Sequence, residues 1–296
     1  MSEALAPDLL ARIADLELVA RMVVEGLVSG LHRSPFHGYS AEFSQYRHYR
    51  PGDDLKYVDW KLVARTDRVY TKQFRETTNM ASAIVVDTSA SMKFPAGAPL
   101  SKFRYAVIAA AALAHVVSAQ GDAIGLITSQ DGRAVYLSPR AGRQHLRAIV
   151  AALSSLEPRG GWRAADTIRR AAERLKRRGL LLVFSDFYDD EEQVLAELRL
   201  AARMGHEIVL FQVISRDEIE LPYREDLEFT DLETGQRLAV NAGLARRGYR
   251  DAVARFLERT RTTAAAQGFQ YSLVITDTPP DHALRNFLVA RRGART

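Results

Sequence analysis

Apolar positions recur at helical spacing near the start of the chain. Leu9, Leu10, Ile13, Leu16, Leu18, Val19, Met22, Val23 and Leu27 fall mostly on one stripe, which predicts an amphipathic helix over residues 8–29. Gly26 and Gly30 weaken its end. Residues 31–80 carry no long helical period. Aromatics such as Phe43, Tyr46, Tyr49, Tyr57 and Trp60 alternate there with charges around a Pro51-Gly52 turn, which predicts an irregular or β-rich prefix. From residue 81 the pattern changes. Short apolar runs at 82–87, 123–129, 134–138, 180–185, 207–214 and 270–276 alternate with helical periods over 101–119, 143–156, 164–178, 189–204, 245–266 and 281–291. That alternation predicts βαβ units and an α/β domain with a largely parallel sheet. The short Asp131-Gly132 connection makes 123–129 and 134–138 an antiparallel hairpin at one edge. A second, polar hairpin is expected around 227–241, turning at Glu233-Thr234-Gly235-Gln236. The expected organisation is therefore a helix and prefix over 1–80 and the α/β domain over 81–296.

Composition narrows the classes. A chain of 296 residues with 47% hydrophobic positions can bury a sizeable core. The absence of cysteine excludes disulfides and thiolate metal sites. The N-terminal stretch lacks a basic segment and its apolar positions are interrupted by acids, so it does not read as a secretory signal. No run approaches the ~20 apolar residues of a membrane span, and a cytoplasmic location is expected. The net charge of +5 comes from 41 basic residues, of which only 6 are lysine, spread along the chain. They are densest over 140–178, with 11 Lys or Arg against 3 acids. A solvated helix face beside Ile168, Ala172 and Leu175 accounts for much of this, and no nucleic-acid reader motif is present, so nucleic acid is not the expected partner. The same patch suits an acidic protein surface.

The chemistry concentrates at strand ends. The run 82–87 ends in Asp87 and continues Thr88-Ser89-Ala90-Ser91, giving Asp87-x-Ser89-x-Ser91. The run 180–185 ends in Ser185-Asp186. In open parallel sheets, ligands bind beyond the carboxyl ends of the strands. Two carboxylates on neighbouring strand ends repel one another. Carboxylate and hydroxyl oxygens are the ligands that Mg²⁺ or Mn²⁺ selects, and such an ion would relieve that repulsion. Ser89 and Ser91 also suit hydroxyl turns or a helix cap.

These residues resemble the metal-ion-dependent adhesion site of von Willebrand factor A-type domains, and the resemblance extends from residue 81 to the end. It implies a doubly wound sheet with one antiparallel edge strand and protein partners rather than catalysis. It also implies a first metal loop of Asp87, Ser89 and Ser91 with a later ligand at Asp186. One departure stands out. Where that family's second loop supplies a threonine, this chain reads Arg159-Gly160-Gly161-Trp162, and an indole cannot ligate a hard cation. Thr167, five residues on, is expected inside a helix and turned away. The departure leaves three outcomes: a weakened metal site, a water in the vacant position, or a metal-free binding surface. Trp162 itself reads either as a partner-contacting aromatic or as packing under the loop.

The stretch 46–76 carries a second motif. Arg47, Arg50, Lys56 and Arg65 interleave with Asp53, Asp54, Asp59 and Asp67 around the aromatics Tyr49 and Trp60. Arginine–aspartate pairs can pin irregular backbone, and the same cluster reads as a docking surface for a partner. The pattern resembles the bacterial domain-of-unknown-function-fifty-eight family, on Arg47, Tyr49, Gly52, Asp53, Asp59, Trp60, Ala64 and Arg65. His48 and Lys56 depart mildly from it. That resemblance implies association with a MoxR-type AAA+ ATPase and a client protein.

The expected function is a non-enzymatic adaptor that binds partners at a divalent-metal site, with a metal-free scaffold as the alternative. A metal-dependent phosphoryl transferase using Asp87 as nucleophile lacks its acid/base, because Ser89 stands where a second aspartate is needed. No G-x-x-x-x-G-K-[ST] loop occurs, and His206-Glu207 lacks the second histidine of a zinc protease.

Overall fold

The six apolar runs after residue 80 all form strands of one sheet. In this computed structural model the described residues are 5–28, 41–50, 58–66, 68–76, 81–95, 99–130, 133–175, 178–188 and 191–293. In chain order the elements are α1 (Pro7–Ala11), α2 (Leu16–Val28), β1 (Ala41–His48), α3 (Trp60–Thr66), β2 (Tyr70–Glu76), β3 (Ala81–Val86), α4 (Lys102–Ala119), β4 (Ala123–Gln130) and β5 (Arg133–Arg140). There follow α5 (Arg143–Ser155), α6 (Ala164–Arg174), β6 (Gly179–Ser185), α7 (Glu191–Arg203), β7 (Glu207–Ile214) and α8 (Arg216–Glu220). The chain closes with β8 (Asp226–Thr230), β9 (Arg237–Asn241), α9 (Ala242–Ala266), β10 (Gln270–Ile275) and α10 (Pro280–Gly293).

The large sheet has the order β10-β7-β6-β3-β4-β5. Every pair is parallel except β4–β5, the expected antiparallel edge hairpin. β3 is the central starting strand. The chain leaves it through α4 to β4 on one side and later takes up the other side at β6, so strand order reverses between β3 and β6. Their register pairs Val86 with Phe184, which brings the residues after both strands to the same edge. Gly179 opens β6 where a Cβ would lie 2.4 Å from the Ala81 carbonyl oxygen, so a side chain there would push the two strands apart. β8 and β9 form the second, polar hairpin as a separate antiparallel ribbon.

β3, β6 and β7 are buried almost throughout, as strands covered on both faces should be. α4 is the core helix on one face, and α6, α7 and Phe269 enclose the cluster on the other. By length and composition α4 is apolar enough to cross a membrane, but 78% of it is buried inside the protein.

Two findings differ from the sequence pattern. The single helix expected over 8–29 is broken into α1 and α2, because Asp15 Oδ1 accepts from the Glu17 and Leu18 amides and starts a new helix. The first residues of the chain also group with the α/β domain and not with the prefix. One compact unit comprises Met1–Pro35 with Met80–Thr296, and the other is Phe36–Asn79. The reason is the apolar stripe of α2, whose Leu16, Val19, Val23 and Leu27 are buried as it packs on α4 and α10. In the smaller unit β1 and β2 pair antiparallel with a bulge between Phe43 and Gln45, and the short helix α3 stands where no helical period was legible.

Candidate functional site at the strand ends

The site grows directly out of the β3–β6 register. The Asp87 amide donates to the Phe184 carbonyl at 2.8 Å, extending the ladder one step beyond β3 and turning the Asp87 carboxylate towards Ser185. Ser185 Oγ donates to Asp87 Oδ2 at 2.5 Å and the Ser89 amide donates to Oδ1 at 2.8 Å. Ser89 Oγ and Ser91 Oγ lie 2.9 Å apart, and Ser91 Oγ donates to Asp186 Oδ2 at 2.9 Å. The structure therefore brings Asp87, Ser89, Ser91 and Asp186 into one cluster, with Ser91 and Asp186 meeting across 95 residues of chain. The spacing of two works because the chain turns sharply after Ser89 into a 3₁₀ turn, Ala90–Lys93. Thr88 points the other way and donates to the Ser129 carbonyl.

Both carboxylates are buried, at 2% and 1% exposure. Burial, and then the charge of Asp186, push the Asp87 carboxyl up to about 7, against hydrogen bonds from Ser185 and Ser89 that pull it down.

Three further residues complete the cluster and had not been singled out from the sequence. Lys102, the first residue of α4, is fully buried. Its Nζ donates to Asp186 Oδ2 at 2.7 Å and to Glu218 Oε1 at 2.5 Å, and lies 4.8 Å from the Tyr188 ring centroid. Burial alone would lower the Lys102 ammonium, but the Asp186 and Glu218 carboxylates outweigh it and raise its pKa above the ordinary lysine value. Glu218 belongs to the capping box of α8, its Oε2 accepting from the Ser215 amide. Gln212 on β7 donates to the Asp186 carbonyl at 3.0 Å and accepts from Tyr271 Oη at 2.6 Å. A signal for Lys102 exists in the sequence: a lysine in the first turn of an apolar helix opposes the helix dipole and calls for local carboxylates.

The donor set can be weighed against a divalent ion. Two carboxylates and two hydroxyls converge, as a hard cation requires. Yet every carboxylate oxygen already accepts a hydrogen bond, the Tyr188 amide serving Asp186 Oδ1 at 3.2 Å, and an ammonium is held against Asp186. Among the described residues no three His, Asp or Glu side chains gather as a metal cage. Thr167 supplies no replacement ligand, because it lies inside α6 with its Oγ1 donating to the Arg163 carbonyl at 2.8 Å. The residues do not fit the Mg²⁺ or Mn²⁺ site implied by the resemblance.

Trp162 is corrected by the structure. At 6% exposure it sits in the core cluster with Ala164, Ile168 and Val194, so it packs under the loop and offers no surface to a partner. Its indole N–H finds no acceptor among the described residues.

The site opens onto a cleft of ≈ 560 Å³ between the strand ends, α9 and the β8–β9 hairpin. Ser91, Lys102 and Glu218 form its inner end, and Tyr188, Tyr223 and Tyr249 line it. Asp217, Asp231 and Glu233 add negative charge, while Lys102, the one lysine or arginine in its wall among the described residues, is already paired.

Elsewhere, four arginines of 140–178 are engaged locally. Arg163 and Arg169 both reach Asp166 at 2.5 Å, Arg159 pairs with Glu157, and Arg174 stacks 4.4 Å from the Tyr136 centroid. His206 is structural, bonding the Gly179 amide and the Ala172 carbonyl.

In the prefix unit, Asp59 caps α3. Its Oδ1 accepts from the Lys61 and Leu62 amides, both at 3.1 Å, and its Oδ2 accepts from Tyr46 Oη at 2.8 Å. Trp60 is 63% exposed, Arg65 is exposed and Arg47 half-buried. Asp53 lies outside the described residues.

A doubly wound sheet with one antiparallel edge and an Asp-x-Ser-x-Ser loop after its first strand defines a von Willebrand A-like α/β domain. The chain belongs to the family described as "Protein of unknown function DUF58", matched over residues 45–262. It is 30% identical over 235 residues to uncharacterised proteins of Mycobacterium bovis and Mycobacterium tuberculosis, covering 77% of this chain and 72% of theirs. Among solved structures it is similar to BatB from Bacteroides thetaiotaomicron, with a TM-score of 0.47 and 15% identity over 73% of this chain and 100% of that one. It is also similar to an aerotolerance-related membrane protein from Bacteroides fragilis, with a TM-score of 0.48 and 17% identity over 71% and 99% of the two chains.

Proposed function

We propose that the protein is a non-enzymatic interaction module that docks a protein partner at the carboxyl edge of its sheet, working with a MoxR-type AAA+ ATPase and a client protein. The observation that carries this reading is an open, tyrosine-lined cleft whose wall includes Ser91, Lys102 and Glu218, the residues through which the buried Asp87–Asp186 cluster meets it. The acids of the cleft favour a partner segment bearing lysine or arginine, which pairs with carboxylates and stacks on tyrosine. Catalysis is disfavoured by the same geometry. Asp87 is buried with both oxygens accepting hydrogen bonds, and Ser89 stands two residues on, where a phosphoryl transferase of this kind places its acid/base.

A divalent ion bridging to an acidic partner is the competing form of this function. Lys102, already paired with Asp186, favours the metal-free form. Direct binding of a purified MoxR-type ATPase, without nucleotide, separates the two. Wild type and Glu233→Lys are compared, each with Mg²⁺ and with chelator. Wild type is expected to bind in both conditions, and Glu233→Lys several-fold more weakly. Binding that appears only with Mg²⁺ would establish the metal-bridged form, and no binding in either condition would remove this ATPase as the partner.

A further inference from the structure

The strand-end cluster holds its own positive charge. Lys102 Nζ is buried between Asp186 at 2.7 Å and Glu218 at 2.5 Å, on the same Asp186 oxygen that Ser91 Oγ approaches. Burying an ammonium is costly unless carboxylates face it, and burying Asp186 is costly unless a cation faces it. Each therefore answers the other, with Glu218 as a third member. We propose that Lys102 is the resident cation of this site, standing in for a divalent ion, and that its presence excludes one. A metal ion on Asp186 would meet a like charge pressed against the same carboxylate oxygen, in a place closed to screening water.

The consequence reaches beyond charge balance. Glu218 is the third residue of α8, and the Ser215–Glu218 capping box fixes that helix directly after β7. The chain then runs into the β8–β9 hairpin, which forms a wall of the cleft. Lys102 thus ties the strand-end cluster to the segment that shapes the cleft, a task that a diffusible ion would otherwise perform only when bound. The site is permanently assembled rather than metal-gated.

This inference deepens the docking reading, but its test needs no partner, so failure here and failure of partner binding are separate results. Mn²⁺ is titrated against the full chain, and free ion is followed by its electron paramagnetic resonance signal. Wild type is expected to take up no Mn²⁺ that Asp87→Asn removes. Lys102→Met is expected to gain one bound Mn²⁺ per chain, and adding Asp87→Asn to it should abolish the gain. Should Lys102→Met fail to fold, as judged by circular dichroism, Lys102→Gln carries the same test, since it keeps a hydrogen-bond donor without the charge. Saturable uptake by wild type that Asp87→Asn abolishes would overturn the proposal. So would a folded Lys102 variant that binds no more Mn²⁺ than wild type.

Discussion

The strand-end cluster and the Asp59 cluster of the prefix unit draw on the same residue types, aspartates beside hydroxyls and backbone amides, and reach opposite results. At the strand ends two aspartates are buried, brought together by neighbouring parallel strands, and need an ammonium inside the protein. In the prefix, Asp59 is only half-buried and serves amides two and three residues away plus one tyrosine. The first arrangement depends on tertiary structure and stores large electrostatic energies. The second is local helix capping in water. The same side chain is a site in one place and a stop signal in the other, and burial decides which.

The sharpest way to break this contrast is Asp186→Ala. It leaves the Lys102 ammonium buried with only Glu218 to face it. Removing one partner of a buried pair costs about 3–5 kcal/mol, and urea unfolding of the full chain should show a loss of that order. A loss below ~1 kcal/mol, the range of exposed pairs, would mean that water screens the cluster.

Next comes pH. The Asp87 carboxyl is raised from the usual 3.8 to about 7 in the folded protein. The folded state therefore holds this proton more tightly than the unfolded chain. The stabilisation is fully present below about pH 3.8 and is lost as pH rises through about 7, with no further change above. Asp87→Asn cannot ionise. The stability of the variant relative to wild type should rise between those limits and stay level outside them. Parallel curves for the two proteins would show that the carboxylate is solvated in the folded state.

How much of this was legible in the sequence follows from the same contrast. The order of strands and helices was readable because buried parallel strands are continuous apolar runs, as in 180–185 and 207–214. Asp87, Ser89, Ser91 and Asp186 were readable because the two aspartates stand at the carboxyl ends of such runs and the two serines alternate in the loop after Asp87. Lys102 and Glu218 were not singled out, for they join Asp186 and Lys102 across 84 and 116 residues. Only the packing of α4 and α8 on the sheet edge brings them there. Trp162 had two open readings, and the choice between them rests on burial by α6 and α7, which no local pattern encodes. The helix α3 went unnoticed because seven residues carry less than two turns of period, although its cap, Asp59, was in plain view.

The smallest effects belong to α3. Asp59→Ala removes the acceptor for two amides and for Tyr46, and loss of such a cap costs about 1 kcal/mol. Because the cap is local, the loss should appear in the hydrogen exchange of the α3 amides while those of β3 and β6 stay protected. Its neighbour supplies the control. Trp60 stands at the first position of α3 but is 63% exposed, so Trp60→Ala should change stability by no more than ~0.5 kcal/mol. If Trp60→Ala nonetheless weakens binding of the ATPase while the α3 amides remain protected, the ring acts as a contact and not as packing. The prefix unit then holds a second docking surface, built on exposure where the strand-end site is built on burial. If Trp60→Ala unprotects the α3 amides as Asp59→Ala does, the ring belongs to the cap, and docking falls to the cleft alone.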